Sequence, residues 1–381
     1  MARTKTHIPQ SGDELTAEWF SDILGGDVGT VERTVIGEGI GFIGELHRCE
    51  LTWNSPRNGE PDSVVVKIPA ALNRGVGEAM GAYEREIEVY ANLHGRLGIP
   101  MPQHYHSALD PNPAAWLTRF VLFLLKKLPL GGVSWLTLRF IDLSAKSTRR
   151  YLLVMEDIHD ARPPSQVDGG SIDDALAALE VLAQFHAHNW MSSEIEERTD
   201  QVWPLDLLPK VWRSSYARNR EEFLSRFGHL VSDELMERLD DVDENMPELL
   251  GGLGAAPWTL LHGDYRLDNI LYRPEGELVV LDYQLMGLGR AGWDVSYFIT
   301  TALTPDHKGE EETMLRRYHD TLVATGIDDY SWESLVADVE ATKLVLAHRF
   351  VASTDAIDTQ IADGDESLLE IMLERVVGWM N

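Results

Sequence analysis

Apolar residues recur at helical spacing near the start of the chain. Leu15, Trp19 and Leu24 fall near one face of residues 11–24, with Ser11 as cap and Gly25-Gly26 as the stop. The pattern then turns to β-rich runs at 31–36 and 46–53, flanking Gly37, Gly39, Gly41 and Gly44. Glycines at such a junction let backbone amides approach a phosphate unhindered. They open no helix, which disfavours a dinucleotide-binding fingerprint. Residues 63–69 (SVVVKIP) read as a buried strand carrying one lysine, Lys67, which is costly to bury unless paired. A helix follows at 77–96, with Tyr83, Ile87, Tyr90 and Leu93 on its inner face. Glu86 borders that face, and Glu84 and Glu88 lie farther round.

Farther on, residues 99–107 read as a strand introduced by two prolines. An insert of about 110–150 is expected to fill core, the alternative being an apolar lid over a lipophilic acceptor, with a helical piece at 120–127 and a strand at 134–140. Residues 151–160 (YLLVMEDIHD) read as a central strand running into a polar connector, and the turn-rich 161–171 as a boundary. The remainder is mostly helical: 173–190, much of 203–250, then 309–325, 332–350 and 366–380. His186 and His188, two apart on a helix, point to different faces, so His186 is expected to be a core histidine.

One stretch breaks the helical pattern. HGDYRLDN at 262–269 leads into ILYRPEGELVVL and then Asp282-Tyr283-Gln284. Two short apolar runs around Pro-Glu-Gly predict a hairpin. A turn centred on Glu275-Gly276 would place Asn269 opposite Asp282, presenting an amide oxygen beside a carboxylate. Such oxygen ligands, completed by water and phosphates, suit Mg²⁺. Asp264 would stand on the loop leading in, where it could take a proton from a hydroxyl. This is the working set of a kinase-type phosphoryl transferase.

Composition narrows the picture. The length allows two or three domains, and 44% hydrophobic residues provide for ample core. With 62 acidic residues against 33 basic, the net charge of −29 argues against nucleic-acid binding and against docking on an anionic membrane. It would suit a cationic substrate, or simply solubility. The single cysteine, Cys49, excludes intramolecular disulfides and multi-cysteine metal sites. The N-terminal residues lack a signal-peptide core, and the apolar run at 120–125 is far short of a membrane span. The expected setting is cytoplasmic.

The segments HGDYRLDNIL, VVLDYQ, GLGRAGWDVSYF and EREIEVY resemble the aminoglycoside phosphotransferase and choline kinase-like superfamily, in its ecdysteroid kinase-like branch. The resemblance covers roughly residues 30–300. It implies an α+β, two-lobe protein-kinase-like fold. The N-terminal lobe, residues 1–158, would carry a five-stranded antiparallel sheet plus a helix. The C-terminal lobe, 159–381, would be mainly helical with a catalytic β-hairpin. The implied cofactors are ATP (or GTP) and Mg²⁺, and the implied partner is a small-molecule hydroxyl acceptor.

Asp264 would be the base, and Asn269 and Asp282 the metal ligands. Lys67, paired with Glu86 or alternatively Glu84, would contact the nucleotide phosphates beside Gly37, Gly39 and Gly41. Met155, Glu156 and Ile158 would border the adenine, and Asp294 would steady the catalytic loop through backbone amides. Arg266 would either neutralise the γ-phosphate or pair with Asp268. Tyr283-Gln284, with no activation segment following, favours a small-molecule kinase over a protein kinase. A catalytically silent nucleotide-binding scaffold is the alternative from another class. The acceptor stays open between an aminoglycoside-like polyamine and a lipophilic alcohol or hydroxyacyl compound.

Overall fold

A computed structural model describes residues 7–36, 44–69, 73–113, 115–198, 202–355 and 368–380. Gly37, Gly39 and Gly41 lie outside the described residues. The chain divides into two compact units. The first comprises Met1–His94, Met101–Thr118 and Arg139–Asp160, and the second Gly95–Pro100, Arg119–Leu138 and Ala161–Asn381.

The first unit is built on an antiparallel sheet of β1 (Val28–Ile36), β2 (Gly44–Trp53), β3 (Ser63–Pro69), β4 (His104–Leu109) and β5 (Tyr151–Glu156), in the order β1-β2-β3-β5-β4. The central strands β3 and β5 are continuous apolar runs because both of their faces are covered. The unit's core gathers Trp19, Phe20, Val64, Val66, Leu152 and Val154. The N-terminal helix α1 (Ala17–Leu24) is shorter than expected. Thr16, not Ser11, caps it by accepting the Trp19 N–H, and Gly25 closes it in the left-handed region. Ser11 precedes only a single turn of 3₁₀-helix.

The helix expected at 77–96 is also divided. It forms α2 (Arg74–Met80) and α3 (Ala82–Glu88), followed by a π-helical turn, Val89–Leu93. Gly81, at φ +65°, is the break, since a left-handed residue ends the first helix. The resulting rotation buries Glu86 beside Tyr83 and Tyr90, while Ile87 is only partly buried. Pro100 and Pro102 keep the preceding segment out of the ladder, so β4 starts at His104 rather than near 99.

The insert corrects two expectations. It is a pair of helices, α4 (Ala115–Lys127) and α5 (Leu130–Ser144), and the strand expected at 134–140 lies within α5. The exposed positions of α5 fall at 131, 135, 138–139 and 142–143, a helical rather than an alternating period. Nor does the insert fill core. Val121, Leu125 and Val133 are buried, but Trp116, Phe120, Phe123, Trp135, Leu138 and Leu143 are exposed.

In the second unit, helices α6 (Ile172–His188), α7 (Ser193–Glu196), α8 (Pro209–Phe227), α9 (Asp233–Leu253), α10 (Gly292–Ala302), α11 (Glu311–Ala324), α12 (Trp332–Ala352) and α13 (Leu368–Met380) supply most of the structure. Phe223, Met246, Trp293, Val345 and Val376 meet in its core. Short strands β6 (Trp203–Pro204), β7 (Thr259–Leu261) and β10 (Gly287–Gly289) make a small sheet in the order β6-β10-β7. The hairpin β8 (Ile270–Tyr272) and β9 (Leu278–Val280) stands apart from it. No described helix is long and apolar enough to cross a membrane.

The burial pattern of the insert predicts unequal sensitivities. Val133→Ala should cost ~1–3 kcal/mol in urea denaturation, because it deletes buried methyls. Phe123→Ser should stay within ~0.5 kcal/mol, because its ring is already in solvent.

Candidate active site

The loop 262–269 begins where β7 ends, and a buried carboxylate fixes its path. Asp294, in the first turn of α10, accepts the His262 N–H at 2.6 Å and the Gly263 N–H at 3.0 Å. His186 of α6 lies 3.2 Å from the same carboxylate and bonds Tyr318 Oη at 2.7 Å through its other nitrogen. His186 is therefore buried, as expected, but works as a polar strut rather than as apolar filling. Gly263 has φ +82°, and a Cβ built there would lie 2.1 Å from Leu285 O. The position requires glycine both for its dihedral and for space.

Three groups converge on Asp264. Tyr297 Oη of α10 donates to Oδ1 at 2.7 Å, and Asn269 Nδ2 donates to Oδ2 at 3.0 Å. Arg266 Nε straddles the carboxylate at 3.3 and 3.4 Å, while its Nη1 holds Asp268 at 2.7 Å. Burial works against the Asp264 charge, but Arg266, Tyr297, His262 and Asn269 together hold its carboxyl below the usual range. Asp268 shifts the other way, upward, because burial and the like charge of Asp264 outweigh its share of Arg266. The outcome is one firmly ionised carboxylate beside a second, less acidic one. For Arg266 itself, burial disfavours the charge, yet Asp264, Tyr297, Asp268 and Asp282 more than offset it.

The hairpin register differs from the expected one. Ile270 pairs with Val280 and Tyr272 with Leu278, so Asn269 faces Leu281, whose N–H it receives at 2.8 Å. The connection is a three-residue loop, 274–276, with Gly276 at φ +87°, and not a two-residue turn. Asp282 comes one residue later and adopts φ +61°, unusual for a non-glycine residue. Its Oδ1 accepts the Gln284 N–H at 3.3 Å. His262 bridges the two chain ends: Nε2 bonds Leu281 O at 3.0 Å, and Nδ1 accepts the Asp264 N–H at 3.3 Å. The loop carrying Asp264 and the strand end leading to Asp282 are thus tied by one imidazole.

In the first unit, Lys67 Nζ meets Glu86 Oε1 at 2.7 Å, with both side chains buried. Tyr151 Oη donates to the other oxygen of Glu86. Glu84 is committed elsewhere, to Arg149 at 2.7 Å, so the structure selects Glu86 as the lysine's partner. Gly44 has a part in this, since a Cβ there would lie 2.6 Å from Lys67 Cε. Met155 sits in the central strand between Val65 and His104. The Glu156 N–H is given to Gln103 O at 2.9 Å, while Ile158 is buried beyond it. Asp157, which carried no expectation, is buried and holds Arg48 at 2.9 Å and Ser63 at 2.8 Å.

The ecdysteroid kinase-like family profile matches residues 38–327, about three quarters of the chain. The chain belongs to the ecdysteroid kinase-like family. It is accordingly a small-molecule kinase, the class expected from the loop and hairpin. The fold is similar to that of a putative aminoglycoside phosphotransferase from Ralstonia eutropha, with TM-score 0.52 and 17% identity, covering 96% of each chain. A macrolide 2′-phosphotransferase from Brachybacterium faecium aligns at TM-score 0.50 and 14% identity over 94% of this chain and 100% of that one. An ethanolamine kinase from Plasmodium vivax gives TM-score 0.50 and 11% identity, covering 92% and 82%. Among curated sequences, human acyl-CoA dehydrogenase family member 11 is 28% identical over 125 residues. That match spans 32% of this chain and 14% of the relative.

Three contributors to the kinase site had no sequence signal. Tyr297 lies in YFITTAL, where a half-buried tyrosine of a helix is indistinguishable from core. Gln166 ties the 262–269 loop to α10: it accepts the Leu267 N–H at 2.9 Å and donates to Thr301 O at 2.7 Å. The bridging role of His262 depends on the hairpin's return to Leu281. Two glycines separate the demands of dihedral and space. Gly276 has open room around it, so Gly276→Ala should cost ~1–2 kcal/mol from its left-handed backbone alone. Gly263→Ala should cost ~3 kcal/mol or more, because strain and the Leu285 carbonyl clash combine. Urea denaturation of the two variants checks the difference.

Proposed function

We propose that this kinase uses ATP or GTP with Mg²⁺ to phosphorylate a hydroxyl group of a small molecule, with Asp264 as the base. The cluster around Asp264 carries this reading. A carboxylate kept ionised, oriented by Tyr297 and Asn269, is suited to receive a hydroxyl proton as the oxygen attacks phosphorus. The donors on Asp264 fix which oxygen lone pairs remain to be used, so geometry rather than raw basicity makes it effective. Arg266 is assigned to this positioning, since its contacts within the loop are the carboxylates of Asp264 and Asp268.

The metal assignment rests on two oxygen donors. Asn269 gives Nδ2 to Asp264 O at 2.8 Å and to Asp264 Oδ2, which turns Oδ1 to the other side of its amide. Oδ1 and the Asp282 carboxylate, on the two arms of one hairpin, fit a cation that keeps water and phosphate oxygens as its remaining ligands. Mg²⁺ bound there would neutralise phosphate charge. In the first unit, Lys67, steadied by Glu86, is assigned to the nucleotide phosphates, and Met155, Glu156 and Ile158 to the adenine. Because the Glu156 N–H is engaged, the adenine edge would be read by the Glu156 carbonyl and the Ile158 N–H. Gly37, Gly39 and Gly41 keep their assignment to the phosphate loop on sequence grounds alone.

Two measurements test the reading. Asp264→Asn should lower kcat by about 10²–10⁴-fold while a thermal shift with Mg·ATP persists. Full activity of that variant would overturn the assignment, and absence of any nucleotide shift in the wild type would overturn the kinase chemistry. Tyr297→Phe removes one of the groups holding the Asp264 carboxyl low, so its pKa should rise. The acid limb of the kcat/KM profile should then move to higher pH. An unmoved limb would detach Tyr297 from the base.

A further inference from the structure

Arg349 lies on α12, facing α8 and α10. Its guanidinium carbon is 4.3 Å from the ring centre of Trp212 and 4.3 Å from that of Trp293. Its Nε is buried without a hydrogen-bond partner, and no carboxylate among the described residues pairs with it. Other arginines of the same unit do hold acids: Arg213 holds Asp243, Arg220 holds Asp240 and Arg290 holds Asp338. In a chain with 62 acidic residues, an unmatched cation in a sheltered place is unexpected. Burial pushes its pKa down to about 9, and Tyr297 is the neighbour that opposes the shift.

Position gives this orphan a meaning. Trp293 and Tyr297 are four residues apart on α10 and therefore share one face. Trp293 stacks on Arg349, and Tyr297 donates to the base Asp264. Arg349 thus packs on the residue that precedes Tyr297 by one turn of α10, and the two side chains interact electrostatically. Aromatic rings on the guanidinium face leave its in-plane N–H edge as the free surface, and that edge matches carboxylate or phosphate oxygens. The same arrangement disfavours a cationic acceptor. A pair of tryptophans could cage a quaternary ammonium, but here the protein's own cation occupies the rings.

Building on the kinase reading, we propose that Arg349 anchors an anionic group of the acceptor. The substrate would be a hydroxylated carboxylate or phosphate ester rather than an aminoglycoside or choline-like cation.

The test compares matched pairs: 3-hydroxybutyrate with its methyl ester, and glycerol 3-phosphate with glycerol, with choline and kanamycin as cations. Thermal shift is measured on the full chain with and without Mg·ADP, and γ-phosphate transfer is measured for each compound. The anions should raise Tm and accept phosphate in preference to their neutral partners. Whichever anion responds distinguishes carboxylate from phosphate. Arg349→Met should raise KM for that anion by about 10- to 100-fold with little change in kcat, and Arg349→Lys should recover part of the loss. A retained Mg·ADP shift shows that each variant folds.

The proposal falls if anions bind no better than their neutral partners, if cations are preferred, or if Arg349→Met leaves the anion response unchanged. Failure of Mg·ADP to shift the wild type would instead strike the kinase reading. The anion comparison without nucleotide would still judge Arg349.

Discussion

The Asp294 carboxylate, buried and ionisable, is the constraint on which the catalytic half of this protein depends. A carboxylate without solvent must be satisfied by fixed hydrogen-bond partners, and here these are two successive backbone N–H groups and a histidine. Each donor belongs to a different demand. The amides fix the path of the catalytic loop, and His186 ties α10 to α6 and, through Tyr318, to α11. Once His262 and Gly263 are pinned, His262 reaches Leu281 and sets the distance between loop and hairpin. Asp264 then emerges where Tyr297, one turn beyond Asp294 on α10, can meet it. A single helix therefore anchors the loop from one turn and orients Asp264 from the next.

Charge inside the protein is otherwise handled by pairing with an acid or, at Arg375, by hydrogen bonds to the carbonyls of Gln166, Val167 and Thr301. Lys67 is buried because Glu86 and Tyr151 satisfy it and its partner, and because Gly44 leaves room for its stem. Arg266 is buried because Asp264 and Asp268 share it. Breaking either pair would leave an uncompensated charge, which costs more than the pair itself contributes. Arg349 departs from this rule, stacked on two rings and without an acid. That contrast is why it reads as a group kept for a ligand rather than for the fold.

Much of the site was legible because its chemistry needs fixed residue types at short spacings. Asp264 and Asn269 lie five residues apart on one loop, and Asp282 follows one hairpin later, so local geometry nearly suffices to bring them together. Even so, the register was off by one. Pro274-Glu275-Gly276 forms a three-residue loop, and Asn269 faces Leu281 instead of Asp282. The left-handed backbone of Asp282 absorbs the difference. The error at 134–140 had another source. β-branched and aromatic residues there suggested a strand, but exposure on one side gives the period of a helix, and solvent exposure is not written in residue type.

The sequence by itself determined the kinase class, the catalytic loop and hairpin, the buried lysine and most helical segments, because these follow from local periodicity and close spacing. Tertiary structure decided which glutamate meets Lys67, since a left-handed Gly81 rotates α3 and Arg149 takes Glu84. It also decided that Tyr297 holds Asp264 and that Arg349 stands without an acid beside Trp293. Those contacts join residues 33 positions apart between a loop and a helix and 56 positions apart between two helices. No local pattern encodes such pairings; they exist only once burial has chosen which helix faces meet.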